Sequence, residues 1–312
     1  MAALNQELFL PQIREVLFAD NEFLNYITRL DSAFDGAESV PEFINVPVSG
    51  AMAAATRGTP VRPLPVLART DINRQLQIRP YRTPGAFEVE SSEQAYLAYD
   101  KRASLMRQMF ATVADRIATD ALRTMAPATA GIIRTTSGTT VTAASGLLPY
   151  PGSTGTAARI LADDFYRARQ IMDDRKLPKS GRYAAIPPAF YRDIMNIPEF
   201  IRAENMGQAV IPDGVIGKIG GIQIIVRPDL PLFNGSGTPA LKVEGSAPDL
   251  ANDAFGIIFW QRDYVHGAIG AFKLFLEEDS ATLQATLMSG IAYAGFLVPE
   301  AIGTLALVQA RA

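Results

Sequence analysis

The sequence has no cysteine, which excludes disulfide frameworks, thiolate zinc sites and cysteine nucleophiles together. It has one histidine, His266, so no cluster of imidazole ligands can gather around a metal. Lysine is scarce: the six are Lys101, Lys176, Lys179, Lys218, Lys242 and Lys273, none of them before residue 101. An excess of either charge is also lacking, because 29 basic residues meet 32 acidic ones for a net charge of −3. No global basic field therefore marks a dedicated nucleic-acid binder. The opening residues, MAALNQELFLPQIREVLF, lack a basic flank and a long apolar core, and do not read as a secretory signal.

One apolar run, LMSGIAYAGFLVPEAIGTLALVQ from Leu287 to Gln309, is long enough to cross a bilayer. Pro299 and Glu300 near its middle, and the dilution by Ser289, Gly290, Gly295 and Gly303, argue instead for a pair of buried strands split at Pro299. The chain is expected to be soluble, with no membrane partner.

With 312 residues and 48% hydrophobic content, the chain can bury a real core in about two domains or one elongated unit. Up to about Asp35 the apolar positions suit short helices. From Phe43 to Glu90, stretches such as GTPVRPLPVLARTD and LQIRPYRTPGAFEVE are extended or hairpin-like, with no continuous apolar face, and suggest a projecting arm or loop. A long helix is expected from Ser92 to Met125. Ser91 and Gln94 fit a capping box, Met106, Met109, Phe110, Val113, Ile117 and Ala121 recur at helical steps, and Pro127 forbids continuation. The Ser/Thr/Gly-rich stretch Gly131 to Gly155 suits a loop or exposed hairpin. A second amphipathic helix with Leu161, Phe165, Ala168 and Met172 on one face ends by Pro178.

In GRYAAIPPAFYRDIMNIPEF, Tyr183 to Ile186 is a short buried strand and Pro188 suits the first turn of a helix, where its missing N–H has no partner to lose. Phe190 and Ile194 then share a face, and Pro198 closes the unit. GVIGKIGGIQIIVRPDLP is strand, glycine turn, strand and proline stop, and Asn234-Gly235 marks another turn. Phe255 to Trp260 and Ala271 to Leu276 are further strands, bridged by Gln261 to Gly270.

This order of elements resembles the major capsid proteins of tailed bacteriophages, the HK97-like fold shared with herpesvirus capsid floors and encapsulin shells. The pairing of RYAAIPPAFYRDIM with GVIGKIGGIQIIVRPDLP, and the closing AYAGFLVPEAIGTLAL, are similar to that family's strand–Pro–helix, glycine-punctuated hairpin and last strand. The resemblance implies an α+β fold divided into an N-terminal arm (1–42), an extended loop (43–90), a spine helix with part of a peripheral domain (91–180), an axial domain (181–270) and C-terminal peripheral strands (271–312). It implies a major capsid protein that self-assembles as pentamers and hexamers into an icosahedral, DNA-containing head in the virion, after passing through the host cytoplasm. Portal, scaffolding and possible decoration proteins would be its partners, and double-stranded DNA would be contacted only weakly. An encapsulin-like shell is the near alternative. A hydrolase or ligand-binding enzyme of mixed structure is the distant one.

No catalytic, cofactor or metal site is expected. The glycines of GKIGGI have neither dinucleotide-binding nor P-loop spacing and suit a plain turn. The carboxylate pairs Asp163-Asp164 and Asp173-Asp174 and the run Glu277-Glu278-Asp279 diverge along their elements without a calcium-loop pattern. His266 beside Asp263 lacks a nucleophile elbow, so a loop histidine with structural hydrogen bonds is expected. Subunit contacts are expected from charge asymmetry instead. Arg57, Arg62, Arg69, Arg74, Arg79 and Arg82 in the extended loop face acidic residues elsewhere, namely Asp163, Asp164, Glu277, Glu278 and Asp279, and guanidinium forks suit carboxylates.

Overall fold

The computed structural model describes residues 22–34, 40–50, 69–90, 101–135, 140–142, 147–198, 200, 215–280 and 285–311. A 3-10 turn at Glu22–Tyr26 drops Phe23 and Leu24 into the core, followed by β1 (Thr28–Arg29) and a second turn at Asp31–Phe34. β2 (Phe43–Val48) and β3 (Ile72–Gln77) form an antiparallel hairpin in register from Phe43↔Gln77 to Val48↔Ile72. β4 (Arg79–Arg82) and β5 (Phe87–Glu90) follow. α1 (Lys101–Met125) is about 37 Å long at 1.5 Å per residue. Every apolar position expected on its inner stripe, from Met106 to Ala121, is buried. The expected capping box at Ser91 and Gln94 lies outside the described residues.

β6 (Ile132–Arg134) leads to a small hairpin of β7 (Thr140–Thr142) and β8 (Thr156–Ala158), then α2 (Ala162–Asp174). Phe165, Ala168 and Met172 are buried as expected, but Leu161 sits at the N-cap, 39% exposed, and not on the inner face. β9 (Arg182–Ile186) runs into a 3-10 turn at Pro188–Phe190 and the short α3 (Tyr191–Met195), with Phe190 and Ile194 fully buried. β10 (Val215–Ile219) and β11 (Ile222–Val226) turn through Gly220 and Gly221 at φ 57° and 87°, a left-handed pair that other residues resist. β12 (Phe233–Asn234), β13 (Ala240–Leu241) and β14 (Asp253–Ala254) make a three-stranded patch, and β15 (Gly256–Gln261) begins the last run. That run continues through β16 (His266–Ile269), β17 (Lys273–Ser280), β18 (Ala285–Leu297) and β19 (Thr304–Val308).

Two six-stranded sheets organise the chain. In the first, β18 is the axis: β16 and β17 lie end to end along one edge, β4 and β5 along the other, and β1 adds beyond β16. The second runs β10-β11-β9-β15-β19-β6. Its three central strands, β9, β15 and β19, are buried on both faces. Tyr183, Ala185, Ile258, Trp260 and Ala306 point into the core shared with α1 and the first sheet, while Ala184, Ile186, Phe259, Leu305 and Leu307 point into a separate core under α2 and α3. Continuous apolar runs such as GIIFW and TLALV are what two-sided burial requires.

The two buried strands expected on either side of Pro299 form as β18 and β19, in different sheets. Two expectations change. Gln261 to Gly270, taken as a bridge, contains β16, so the stretch 181–270 contributes to both sheets. The extended region has an apolar anchor after all: Val46, Leu76 and Ile78 are buried against Ala268 in a third, small cluster.

Candidate inter-subunit surface

The hairpin β2–β3 is an arm rooted on the first sheet through Leu76 and Ile78. Cross-strand partners share a face, so Ile44/Leu76, Val46/Arg74 and Val48/Ile72 line one side and Phe43/Gln77, Asn45/Gln75 and Pro47/Asn73 the other. Leu76 is completely buried, and the Ile78 N–H donates to the Glu42 carbonyl at 2.9 Å. Gly295 permits this seat, since a Cβ there would overlap both the Gln77 carbonyl and the Leu76 side chain. Beyond the root, Asn45, Asn73 and Gln75 are exposed, as are Phe43 and Ile72.

Arg69, Arg74, Arg79 and Arg82 are all exposed on this arm and its stem. Arg69 already pairs with Asp71 at 2.7 Å, and that hydrogen bond, with one from the Gly50 N–H, holds the Asp71 carboxyl below its ordinary value. Arg79 donates to the Gln77 side-chain oxygen at 3.3 Å. Arg57 and Arg62 lie outside the described residues. On the acidic side, Asp163 is exposed in the first turn of α2 and Glu277 is exposed on β17, which also contains Glu278 and Asp279. Asp164 must be withdrawn from the surface: it is wholly buried, and its carboxylate accepts the Leu161 N–H at 3.1 Å, capping its own helix. Asp173 is half-buried in an ion pair with Arg182 at 2.7 Å, while Asp174 is exposed.

A feature absent from the sequence reading is the outer face of the first sheet, opposite α1. Register places Lys273, Ile291 and Arg82 in one row and Glu277, Leu287 and Glu88 in another. Four residues separate the rows, about 13 Å along a strand. Between them Phe275, 56% exposed, stands beside Ser289. The face is therefore basic at one end, acidic at the other and apolar between. The only signal in the sequence was the alternation of exposed and apolar residues in KLFLE.

The described titratable groups fasten elements of the fold to one another. Tyr81, on the inner side of the sheet, donates to Asp120 of α1 at 2.9 Å, and burial followed by the Asp120 charge raises its pKa. Arg116 joins Asp120 at 3.1 Å and Glu244 at 2.5 Å, and Arg227 reaches Asp115 at 2.8 Å. These contacts clamp α1 to the arm's stem and to the second sheet. His266 opens β16 and is not in a loop; its Nδ1 is buried without a hydrogen-bond partner, contrary to the expected structural bonds. Among the described residues, no three His, Asp or Glu side chains converge as a metal site, and no helix is long and apolar enough to cross a membrane.

A family model described as phage capsid protein matches residues 95–306. Among solved structures, the chain is similar to the capsid of the cyanophage P-SCSP1u, with 21% identity and a TM-score of 0.63 over 92% of this chain and 87% of that one. It is likewise similar to the capsid of Ralstonia phage GP4, with 13% identity and a TM-score of 0.61 over 92% and 87%. The cyanophage Pam1 capsid gives 13% identity and a TM-score of 0.58 over 92% and 88%. At these identities the likeness is one of fold. No curated protein matches the sequence.

Proposed function

The chain belongs to the phage capsid protein family, and from that premise we propose that its copies assemble as pentamers and hexamers into the icosahedral wall of a tailed-phage head enclosing double-stranded DNA. The observation that carries the reading is the extent of the family match, which begins near α1 and ends within β19, taking in the second sheet and β16, β17 and β18 of the first. The role is structural and not catalytic. The chain's place is the virion capsid, reached through the host cytoplasm.

In this reading residues 1–42 are an N-terminal arm, 43–90 an extended loop, 91–180 the spine helix and part of a peripheral domain, 181–270 largely an axial domain, and 271–312 largely peripheral strands. The extended loop, with its β2–β3 hairpin, lies over a neighbouring subunit. A hairpin that leaves Phe43, Asn45, Ile72, Asn73 and Gln75 exposed supports this, because a closed ring of heterologous contacts gives such residues a partner. Arg74, Arg79 and Arg82 meet carboxylates of the neighbour, with Asp163 and Glu277 to Asp279 as the receiving groups. Portal, scaffolding and decoration proteins are further partners, and packaged DNA is held by enclosure with only weak contact, consistent with the net charge of −3. Electron microscopy of the expressed protein, alone and with the phage's own assembly factors, tests the proposal. Closed or polymorphic shells are expected; monomers under both conditions would refute it.

A further inference from the structure

The lone histidine sits where the arm meets the first sheet. His266 is in register with Thr28 of β1 on one side and Leu297 of β18 on the other. A cavity of about 220 Å³ separates this corner from the end of β2. Val46 to Ser49 form the arm's wall, and Asp263, Tyr264, His266 and Glu300 line the rest together with Pro299.

We propose that His266 is a proton-operated release for the arm's root: on protonation the imidazolium turns into this cavity and loosens the Val46–Ser49 wall from the sheet. A neutral imidazole tolerates its present seat, because an unmet Nδ1 acceptor is a modest defect. Protonation turns the same buried atom into a charged donor with nothing to accept it, a much larger penalty. The cavity offers relief. Asp263 and Glu300 line it, Tyr264 adds a phenol, and the arm's wall brings only the Ser49 hydroxyl. On the adjoining β1, Arg29 is engaged by Asp31, so the nearest cation on that strand already has a counter-charge.

Burial holds the imidazole below its ordinary value of 6.5, and Asp263 opposes this in part. The sign follows: the seated form binds a proton less readily than the released form, so acidification below 6.5 favours release. The ceiling is about tenfold in the released fraction for each pH unit below that value.

The test is hydrogen exchange on full-length unassembled chain at about pH 7.5 and about pH 5.5, corrected for intrinsic rates, in wild type and His266→Gln. Peptides covering residues 43–50 and 72–78 should lose protection several-fold on acidification in wild type and stay level in the variant, with α1 unchanged in both. The single imidazole also gives one NMR titration, whose midpoint should coincide with the loss of arm protection. Equal loss in His266→Gln, no loss in wild type, or midpoints that disagree would each overturn the proposal. The NMR comparison stands even if the variant does not fold.

Discussion

Truncating Leu76 to alanine should free the arm's root while leaving the subunit folded. Leu76 is completely buried, but in the smallest of the three apolar clusters, with Val46, Ile78 and Ala268. Neither of the two large cores includes it. Leucine-to-alanine changes in cores cost about 2–5 kcal/mol. At the rim of the sheet the gap can partly collapse, so about 2–3 kcal/mol is appropriate, which raises the open fraction of the arm about 30- to 150-fold. Because the cluster is separate, that change should be local. Amides of the β2–β3 ladder should exchange faster by about this factor, while β9, β15 and β19, each fully buried, keep their protection and the melting temperature moves little. Shell yield should fall, since an arm without a seat cannot be presented in one direction. If β15 and β19 lost protection by the same factor as the hairpin, the arm would be part of the main cooperative unit and the reasoning would fail.

Reversing Arg74, Arg79 and Arg82 to glutamate should leave the subunit folded but impair assembly in a salt-dependent way. Each exposed pair is worth only about 0.2–1 kcal/mol, and a shell repeats it many times; normal assembly across ionic strengths would remove the electrostatic part of the docking model. Arg69 is left out because its partner is Asp71 of its own chain. Assembled particles boiled in detergent should run as a single monomer band. An amide cross-link between subunits needs a lysine amine, and no lysine precedes residue 101 to supply one from the arm. A covalent ladder on the gel would contradict this.

What the sequence made legible was local. The corner at Pro188 follows from a missing N–H and two apolar residues four apart, and the turn at Gly220-Gly221 from backbone freedom, so neither needs a distant partner. What it hid depends on register. β16 is a strand because Thr28 and Leu297 flank His266, and nothing in HGAI alone announces them. The cap of α2 was hidden because its N-cap is Leu161, with the carboxylate coming from Asp164 inside the first turn. The two charged rows on the first sheet draw on β17, β18 and the β4–β5 stem at once. A count of arginines and carboxylates could suggest that charge mattered; only the pairing could say which charges share a face.

The interleaving of the chain also bears on when the arm becomes competent. Its seat is made by Ala268 and the C-terminal part of β18, and the N-terminal segment beside it depends on equally remote groups. The Trp260 indole N–H donates to the Tyr26 carbonyl and the Thr28 hydroxyl to the Arg262 carbonyl, each across 234 residues, and Ile269 N–H donates to Asp31 across 238. Stacking of Tyr26 on Tyr183, and of Tyr183 on Trp260, ties the same segment to the second sheet. Contacts of such separation require closing long loops before they return any stabilisation, which makes them late and slow. During synthesis, residues 22–78 are therefore made long before their supports at 260–297 exist. The arm gains a fixed direction only after both sheets have formed around α1. If the hairpin docks on neighbours as proposed, this ordering restrains premature assembly, because the hairpin and the groups that hold it in place lie far apart along the chain.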